Sequence, residues 1–209
     1  MHKRSIIFDL DNTIYPVQSI GEDLFAPLFD LIYTEGDESI DKKKLREDIM
    51  RRPFQLVARD HNLSDELTEK GISLLKNVTY NGYIKPFDDY RFARSLKADK
   101  FLVTTGFLKL QESKIKGMQL EKDFLEVHVI DPMTSNLTKK NVFADIIQRH
   151  NYKIDEVLVV GDDLHSEIKA AKELGIDAVI YDKFNLYKDV ADLPRINNFK
   201  ELHSLLKNS

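Results

Sequence analysis

The chain has 209 residues, 42% of them hydrophobic and 32% charged, with a formal net charge of −4 at neutral pH. That length suits one core domain with a smaller appendage, and the acidic balance argues against holding a nucleic-acid polymer by bulk electrostatics while leaving room for a small anionic ligand. Cysteine is absent, which excludes disulfides and thiolate metal sites; no apolar run has the length of a signal peptide core or a membrane span, so a cytoplasmic protein without membrane attachment is expected.

Ser5-Ile6-Ile7-Phe8 is a short apolar run with a β-branched pair and predicts a buried strand. It stops on two carboxylates, Asp9 and Asp11, which share one face if the strand continues and which a turn at Asn12-Thr13 brings together. The carboxyl end of a buried strand is where open α/β sheets bind their ligands. From Val17 to Asn81 the period becomes helical, carried by Leu24, Leu28, Leu31 and Ile32 and then by Leu67, Ile72, Leu74, Leu75 and Val78. Ser64 is placed as an N-cap, with Asp65 and Glu66 in the first turn. Residues 16–81 therefore read as an all-helical insertion between two segments of an α/β core, 1–15 and 82–209. Tyr15-Pro16 and Asn81-Gly82, with their special backbone preferences, read as its hinges. Lys42-Lys43-Lys44 reads as a solvated face; Arg51, Arg52 and Arg59 are able to reach an anion but are read first as facing solvent.

Beyond Gly82 a helix is expected over Asp88–Lys97. Strands follow at Phe101–Val103, Val127–Ile130, Val157–Val160 and Ala178–Ile180, alternating with helices at Leu108–Met118, Val142–His150 and Ser166–Leu174. That rhythm predicts βαβ units and a mostly parallel sheet. Gly175 is a C-cap candidate, Ala191–Arg195 a loop and Phe199–Leu206 a closing helix. Asp131-Pro132 reads as a turn, His165 as solvent-facing, and His128 and His150 as structural.

Three strands end in chemistry. Asp9 and Asp11 follow the first. Thr104-Thr105-Gly106 closes the second, where hydroxyls, amides and a helix N-terminus make an anion seat. Gly161-Asp162-Asp163, with Glu167 four residues beyond, closes the strand at Val157–Val160. Acids gathered in this way repel one another unless a cation sits among them, and an all-oxygen donor set favours Mg²⁺. Lys139-Lys140 precedes the helix that feeds that strand and supplies a counter-charge.

This set, Asp9-Leu10-Asp11-Asn12-Thr13, then Thr104-Thr105-Gly106, then Lys139, then Gly161-Asp162-Asp163 with Glu167, resembles the haloacid dehalogenase superfamily in order and spacing over nearly the whole chain. The resemblance implies a three-layer Rossmann-like parallel sheet whose first strand lies between the strands carrying the second and fourth motifs. It also implies a C1-type helical cap inserted after that first strand. The implied activity is that of a Mg²⁺-dependent phosphatase acting on a small phosphorylated metabolite. In that reading Asp9 is the nucleophile and Asp11 the general acid and base. Mg²⁺ is held by Asp9, the Asp11 carbonyl and Asp162, supported by Asp163 or Glu167. Thr104, Lys139, Leu10, Thr105 and Gly106 receive the phosphoryl group. Three features depart from the usual pattern: Thr105 stands where relatives often carry Asn; no proline follows the lysine, for which Lys139 and Lys140 compete with Lys139 favoured; and Glu167 stands where an Asp is more usual. The Asp-Asn-Thr-Ile-Tyr-Pro wording is similar to a pyrimidine 5′-nucleotidase-like branch, which suggests nucleoside monophosphates first and sugar phosphates second. Phosphoryl transfer or dehalogenation within the superfamily, and a phospho-aspartate signalling module outside it, are the alternatives. Asp11 argues against dehalogenation, and the helical insertion against the signalling module.

Overall fold

The computed structural model describes residues 3–188 and 194–206. Its strands are β1 (Ser5–Phe8), β2 (Asp99–Thr105), β3 (Glu126–Ile130), β4 (Val157–Gly161), β5 (Asp177–Tyr181) and β6 (Arg195–Ile196). They form one parallel sheet in the order β3-β2-β1-β4-β5-β6. β1 is thus central, with Phe8 in register with Leu102 on one side and Val160 on the other. That adjacency brings the ends of β1, β2 and β4 together.

The first four of the five helices between β1 and β2 are α1 (Gln18–Glu35), α2 (Lys42–Ile49), α3 (Phe54–Asp60) and α4 (Asp65–Leu75). The short α5 (Tyr90–Arg94) leads into β2. After it come α6 (Leu108–Gly117), α7 (Lys139–Arg149), α8 (Glu167–Leu174) and α9 (Leu202–Leu205). Parallel strands covered on both faces need apolar residues on both, which is why they read as continuous runs. Ile7, Phe101, Val103, Val157 and Val159 pack with Val142, Phe143 and Ile146 of α7 and with Ala170 and Ala171 of α8. Ile6, Phe8, Leu102, Leu158 and Val160 face the other way, into a cluster with Leu110 and Ile115 of α6 and Phe199 and Leu202 near the chain's end. The three layers follow from this alternation. The second cluster continues without a break into α1–α4 through Leu24, Leu28, Leu45, Phe54 and Leu67.

Local signals behave as their chemistry dictates. The Ser64 hydroxyl accepts from the Leu67 amide at the start of α4. Gly175 ends α8 at φ 72°, a left-handed conformation open to glycine without a Cβ penalty. Three boundaries differ from expectation. The helix expected over Asp88–Lys97 is only Tyr90–Arg94, because the chain must enter β2 by Asp99, whose amide donates to the Arg4 carbonyl. The closing helix begins as a 3-10 turn at Phe199–Glu201 before α9. Arg195, expected in a loop, instead opens β6 and pairs with Ile180 at the sheet edge; Ala191 to Leu193 lie outside the described residues.

β3 forms the opposite edge, and its first residue is unusually well tied. Glu126 takes a two-pronged bond from Arg149 (2.8 and 2.7 Å), and the ring nitrogens of His128 and His150 lie 2.8 and 2.6 Å from its carboxylate. The Arg149 bonds, then those to His150 and His128, outweigh the burial that opposes them and hold its carboxyl well below the usual glutamate range. A carboxyl depressed in the folded state adds stability that is full above its unfolded value and lost as pH falls toward its folded one. Glu126→Gln should therefore melt lower than the parent at pH 7. The difference should shrink steadily below about pH 4, the unfolded glutamate value. Thermal melts across that range check the sign; a gap that widens in acid would refute it.

Candidate active site

The site is assembled at the carboxyl ends of β1, β2 and β4. The Asp9 amide donates to the Val160 carbonyl (3.0 Å), continuing the ladder one residue past β1, so the Asp9 side chain is set in a buried position between strands. The chain then folds back. The Leu10 carbonyl accepts from the Thr13 and Ile14 amides, and Asn12 adopts φ 57°. Asp11 pairs with Tyr15 in an isolated bridge. Leu10 and Thr13 are fully buried beneath this turn. The Asn12 side chain accepts from the Val17 amide (3.1 Å) and donates to the Met50 carbonyl (3.4 Å), joining the turn to the helical segment.

At the end of β2, Thr104 is buried, and Thr105 and Gly106 line the cavity above Asp9. The Gly106 amide donates to the Ile130 carbonyl (3.0 Å), so this donor is committed to β3. Asp131 sits in the turn expected of it and also caps α6, accepting from the Leu108 amide (3.1 Å) and the Met133 amide (2.9 Å).

Lys139 is the first residue of α7, which Thr138 and Asn141 start with a reciprocal capping box. That entry directs the Lys139 ammonium inward, 2.5 Å from Asp9 Oδ1 and 2.7 Å from Glu167 Oε2. Lys140 turns outward to Glu173 (3.2 Å). Asp162 follows β4, and Glu167 opens α8 with its Oε1 accepting from the Asp163 amide (2.7 Å). The Asp163 carboxylate is used differently: it accepts from the His165 amide (2.8 Å) in its own loop. Glu167 reaches the centre because Gly161 has no side chain; a Cβ there would overlap Glu167 Oε1.

Carboxylate oxygens of Asp9, Asp162 and Glu167 lie within 4.8 Å of one another. Burial, then the nearby Glu167 charge, pushes Asp9 up to about 7 although Lys139 opposes it. Burial, then Glu167 and Asp9, pushes Asp162 well above the usual carboxylate range. Burial works against the Lys139 charge, but Asp9 and Glu167 raise it overall, so this lysine stays an ammonium. Three hard oxygen donors with more negative charge than Lys139 alone balances fit Mg²⁺ in chemistry and in spacing.

Asp11 lies in different surroundings. Its Oδ1 accepts from Lys114 Nζ (2.8 Å) and the Tyr15 hydroxyl (2.5 Å), and its Oδ2 from Gln111 Nε2 (2.8 Å). Burial alone would raise its carboxyl, but the Lys114 charge and the bonds from Lys114, Tyr15 and Gln111 together hold it below its ordinary value. Gln111 also donates to Thr104 Oγ1 (2.6 Å). Neither Gln111 nor Lys114 stood out in the sequence: three apart on a helix, a Gln and a Lys look like part of a solvated face.

Arg51 is exposed, as expected, and also turns toward the site. It leaves the α2–α3 connection to reach Asp162 (3.3 Å) and lines the cavity. Arg52 lines the cavity too and bonds Asp60 (2.5 Å), while Arg59 is largely exposed. The cavity over the site measures about 140 Å³, with Asp9, Asp11, Thr104 and Lys139 among its walls on the sheet side and Phe25, Phe54 and Leu75 on the helical side. It adjoins an outer groove of about 830 Å³ lined by Arg51, Arg52, His165, Lys169 and Tyr187.

Known proteins resemble this arrangement. The haloacid dehalogenase-like hydrolase family matches residues 3–175. A glyceraldehyde 3-phosphate phosphatase of Methanopyrus kandleri is 21% identical over 193 residues, covering 84% of this chain and 82% of its own. Among solved structures, the magnesium-bound YfnB protein of Bacillus subtilis, described with interdomain movement, superposes with a TM-score of 0.68 at 18% identity, covering 99% of each chain. A haloacid dehalogenase-like hydrolase of Streptococcus pneumoniae gives 0.71 at 16% identity, over 97% of this chain and 98% of that one. A subfamily IA hydrolase of Geobacter sulfurreducens gives 0.65 at 14% identity, over 98% and 96%. With most of its length matched by one family, a six-stranded parallel sheet in the expected order and an aspartate centred at its carboxyl edge, the chain belongs to the haloacid dehalogenase-like hydrolases.

Proposed function

We propose that this hydrolase is a Mg²⁺-dependent phosphatase that cleaves a small phosphomonoester through an aspartyl phosphate on Asp9. In this reading residues 16–81 form a cap over a core of residues 1–15 and 82–209. The observation that carries it is the position of Asp9, shared between the Lys139 ammonium and the Asp9–Asp162–Glu167 cluster, with Asp11 two residues on. A carboxylate attacks a phosphate dianion only where both charges are offset.

Asp9, Asp162 and the Asp11 carbonyl would hold the metal, with Glu167 rather than Asp163 in support. Mg²⁺ when bound supplies the Lewis acidity and the charge that lets an anionic nucleophile meet an anionic substrate. An Asp9 oxygen forms a bond to phosphorus as the bond from phosphorus to the ester oxygen breaks. Lys139 and the Thr104 hydroxyl steady the charge on the transferred oxygens. Asp11 gives a proton to the leaving oxygen; its Oδ2 takes a single bond, from Gln111 Nε2, and so keeps the freer lone pair. The arriving dianion places like charge beside Asp11 and thereby favours the protonated form that this step needs. Asp11, left as carboxylate, then takes a proton from water as that water attacks phosphorus, which releases inorganic phosphate and restores Asp9.

A short sugar phosphate is the substrate class favoured: the relative from Methanopyrus kandleri is named for glyceraldehyde 3-phosphate. The donors gathered on Asp11 favour ester hydrolysis over dehalogenation, because a halide leaves without a proton. A panel of phosphate esters assayed with Mg²⁺ tests both points. Turnover should be lost in excess chelator and regained on adding Mg²⁺, with triose and tetrose phosphates ahead of nucleotides. Full activity in chelator would end the metal reading, and a preference for nucleotides would end the sugar-phosphate reading.

A further inference from the structure

We propose that Lys114, together with Gln111, is a positioning residue for the acid–base aspartate: the pair forms a clamp on α6 that fixes Asp11 and ties it to Thr104. This deepens the phosphatase reading and rests on it.

The geometry is specific. Lys114 and Gln111 are 3% and 1% exposed, although both belong to types that normally reach water. The Lys114 ammonium bonds Asp11 Oδ1 (2.8 Å) and Gln111 Oε1 (2.7 Å) and lies 5.8 Å from the Tyr15 ring centre. Because Oε1 of Gln111 is taken by a pure donor, its amide can present only Nε2 to the site. That nitrogen meets Asp11 Oδ2 (2.8 Å) and Thr104 Oγ1 (2.6 Å). Lys114 thus acts twice on Asp11, directly at one oxygen and through the orientation of Gln111 at the other. With Tyr15 on Oδ1, donors engage both carboxylate oxygens, so the side chain cannot swing.

A purely structural role explains this poorly. Burying a charged pair gives little or no net stability over a packed apolar pair of similar volume. Here both α6 side chains are spent on residues at the ends of β1 and β2, the two segments that must hold acid and phosphoryl group in register. Thr104, by accepting from Gln111, keeps its own hydroxyl proton to donate elsewhere.

The test compares an alkyl phosphate, whose leaving oxygen needs a proton, with p-nitrophenyl phosphate, whose leaving group needs little. In Lys114→Met, kcat/KM for the alkyl ester should fall at least about tenfold further than for the nitrophenyl ester, a share of the about 10²–10⁴-fold contributed by a placed acid. Lys114→Arg should restore much of that ratio, and thermal melts should show both variants folded. If Lys114→Met does not fold, Gln111→Ala carries the same comparison, since it removes the bond to Oδ2. Equal losses on both esters, or a rise in KM alone, would overturn the clamp while leaving the phosphatase reading intact. A parent enzyme inert toward both esters in Mg²⁺ would overturn that reading and the clamp with it.

Discussion

Asp9→Asn should abolish turnover of every phosphate ester, with a loss on the order of 10⁶-fold in kcat, the scale found where a covalent nucleophile is removed. The amide is nearly the size of the carboxylate, so packing between β1 and β4 should be kept. Lys139 would retain Glu167 at 2.7 Å, and the variant should fold. The effect should not depend on the leaving group, because no substrate can supply the missing bond to phosphorus. Trapping the parent enzyme with radiolabelled substrate should place label on Asp9, and the variant should trap none. Retained turnover in Asp9→Asn, or label recovered elsewhere, would move the nucleophile to another residue.

Asp11→Asn should divide the reaction instead of abolishing it. Lys114 and Tyr15 can still meet the amide oxygen, at some loss of charge pairing with Lys114, whereas the amide nitrogen faces the Gln111 Nε2 donor and loses that bond. Both the proton for the leaving oxygen and the base for water disappear. Alkyl phosphates should therefore slow by about 10²–10⁴-fold in the first step. p-Nitrophenyl phosphate should still phosphorylate Asp9 readily and then stall, giving a burst followed by slow turnover. Rapid-mix measurements with the two esters separate these phases. Equal slowing of both esters in a single turnover would remove Asp11 from the acid–base role.

The sheet was legible because its strands are covered on both faces and so appear as uninterrupted apolar runs, from Ile6-Ile7-Phe8 to Val157-Leu158-Val159-Val160. Local signals such as Ser64 and Gly175 were legible because a cap is decided within a few residues. Arg195 was not, since a two-residue edge strand takes its identity from β5 and not from its own composition. The candidate site divides in the same way. Asp9, Thr104, Lys139 and Asp162 stand at strand or helix ends, where sequence position implies convergence. Lys114, Gln111 and Arg51 enter from elsewhere on their elements, and their importance depends on which strand or connection lies opposite. Arg51 meets Asp162 across 111 positions of chain, a distance no periodicity reports. That Glu167 and not Asp163 joins Asp9 and Asp162 in the carboxylate cluster reflects the Asp163 carboxylate turning back to the His165 amide, which side-chain identity alone does not encode.

The bare Cα of Gly161 has a consequence for how this chain can vary. Most positions around a cavity admit a range of residues, because a neighbour can yield by a fraction of an ångström. Here the neighbour is Glu167, held on one side by Lys139 and on the other by the Asp163 amide. The smallest possible addition, one methyl group, would overlap three of its atoms. A side chain at position 161 therefore requires Glu167 to leave the Asp163 amide and Lys139, so the identity of residue 161 and the reach of the acid that opens α8 are coupled.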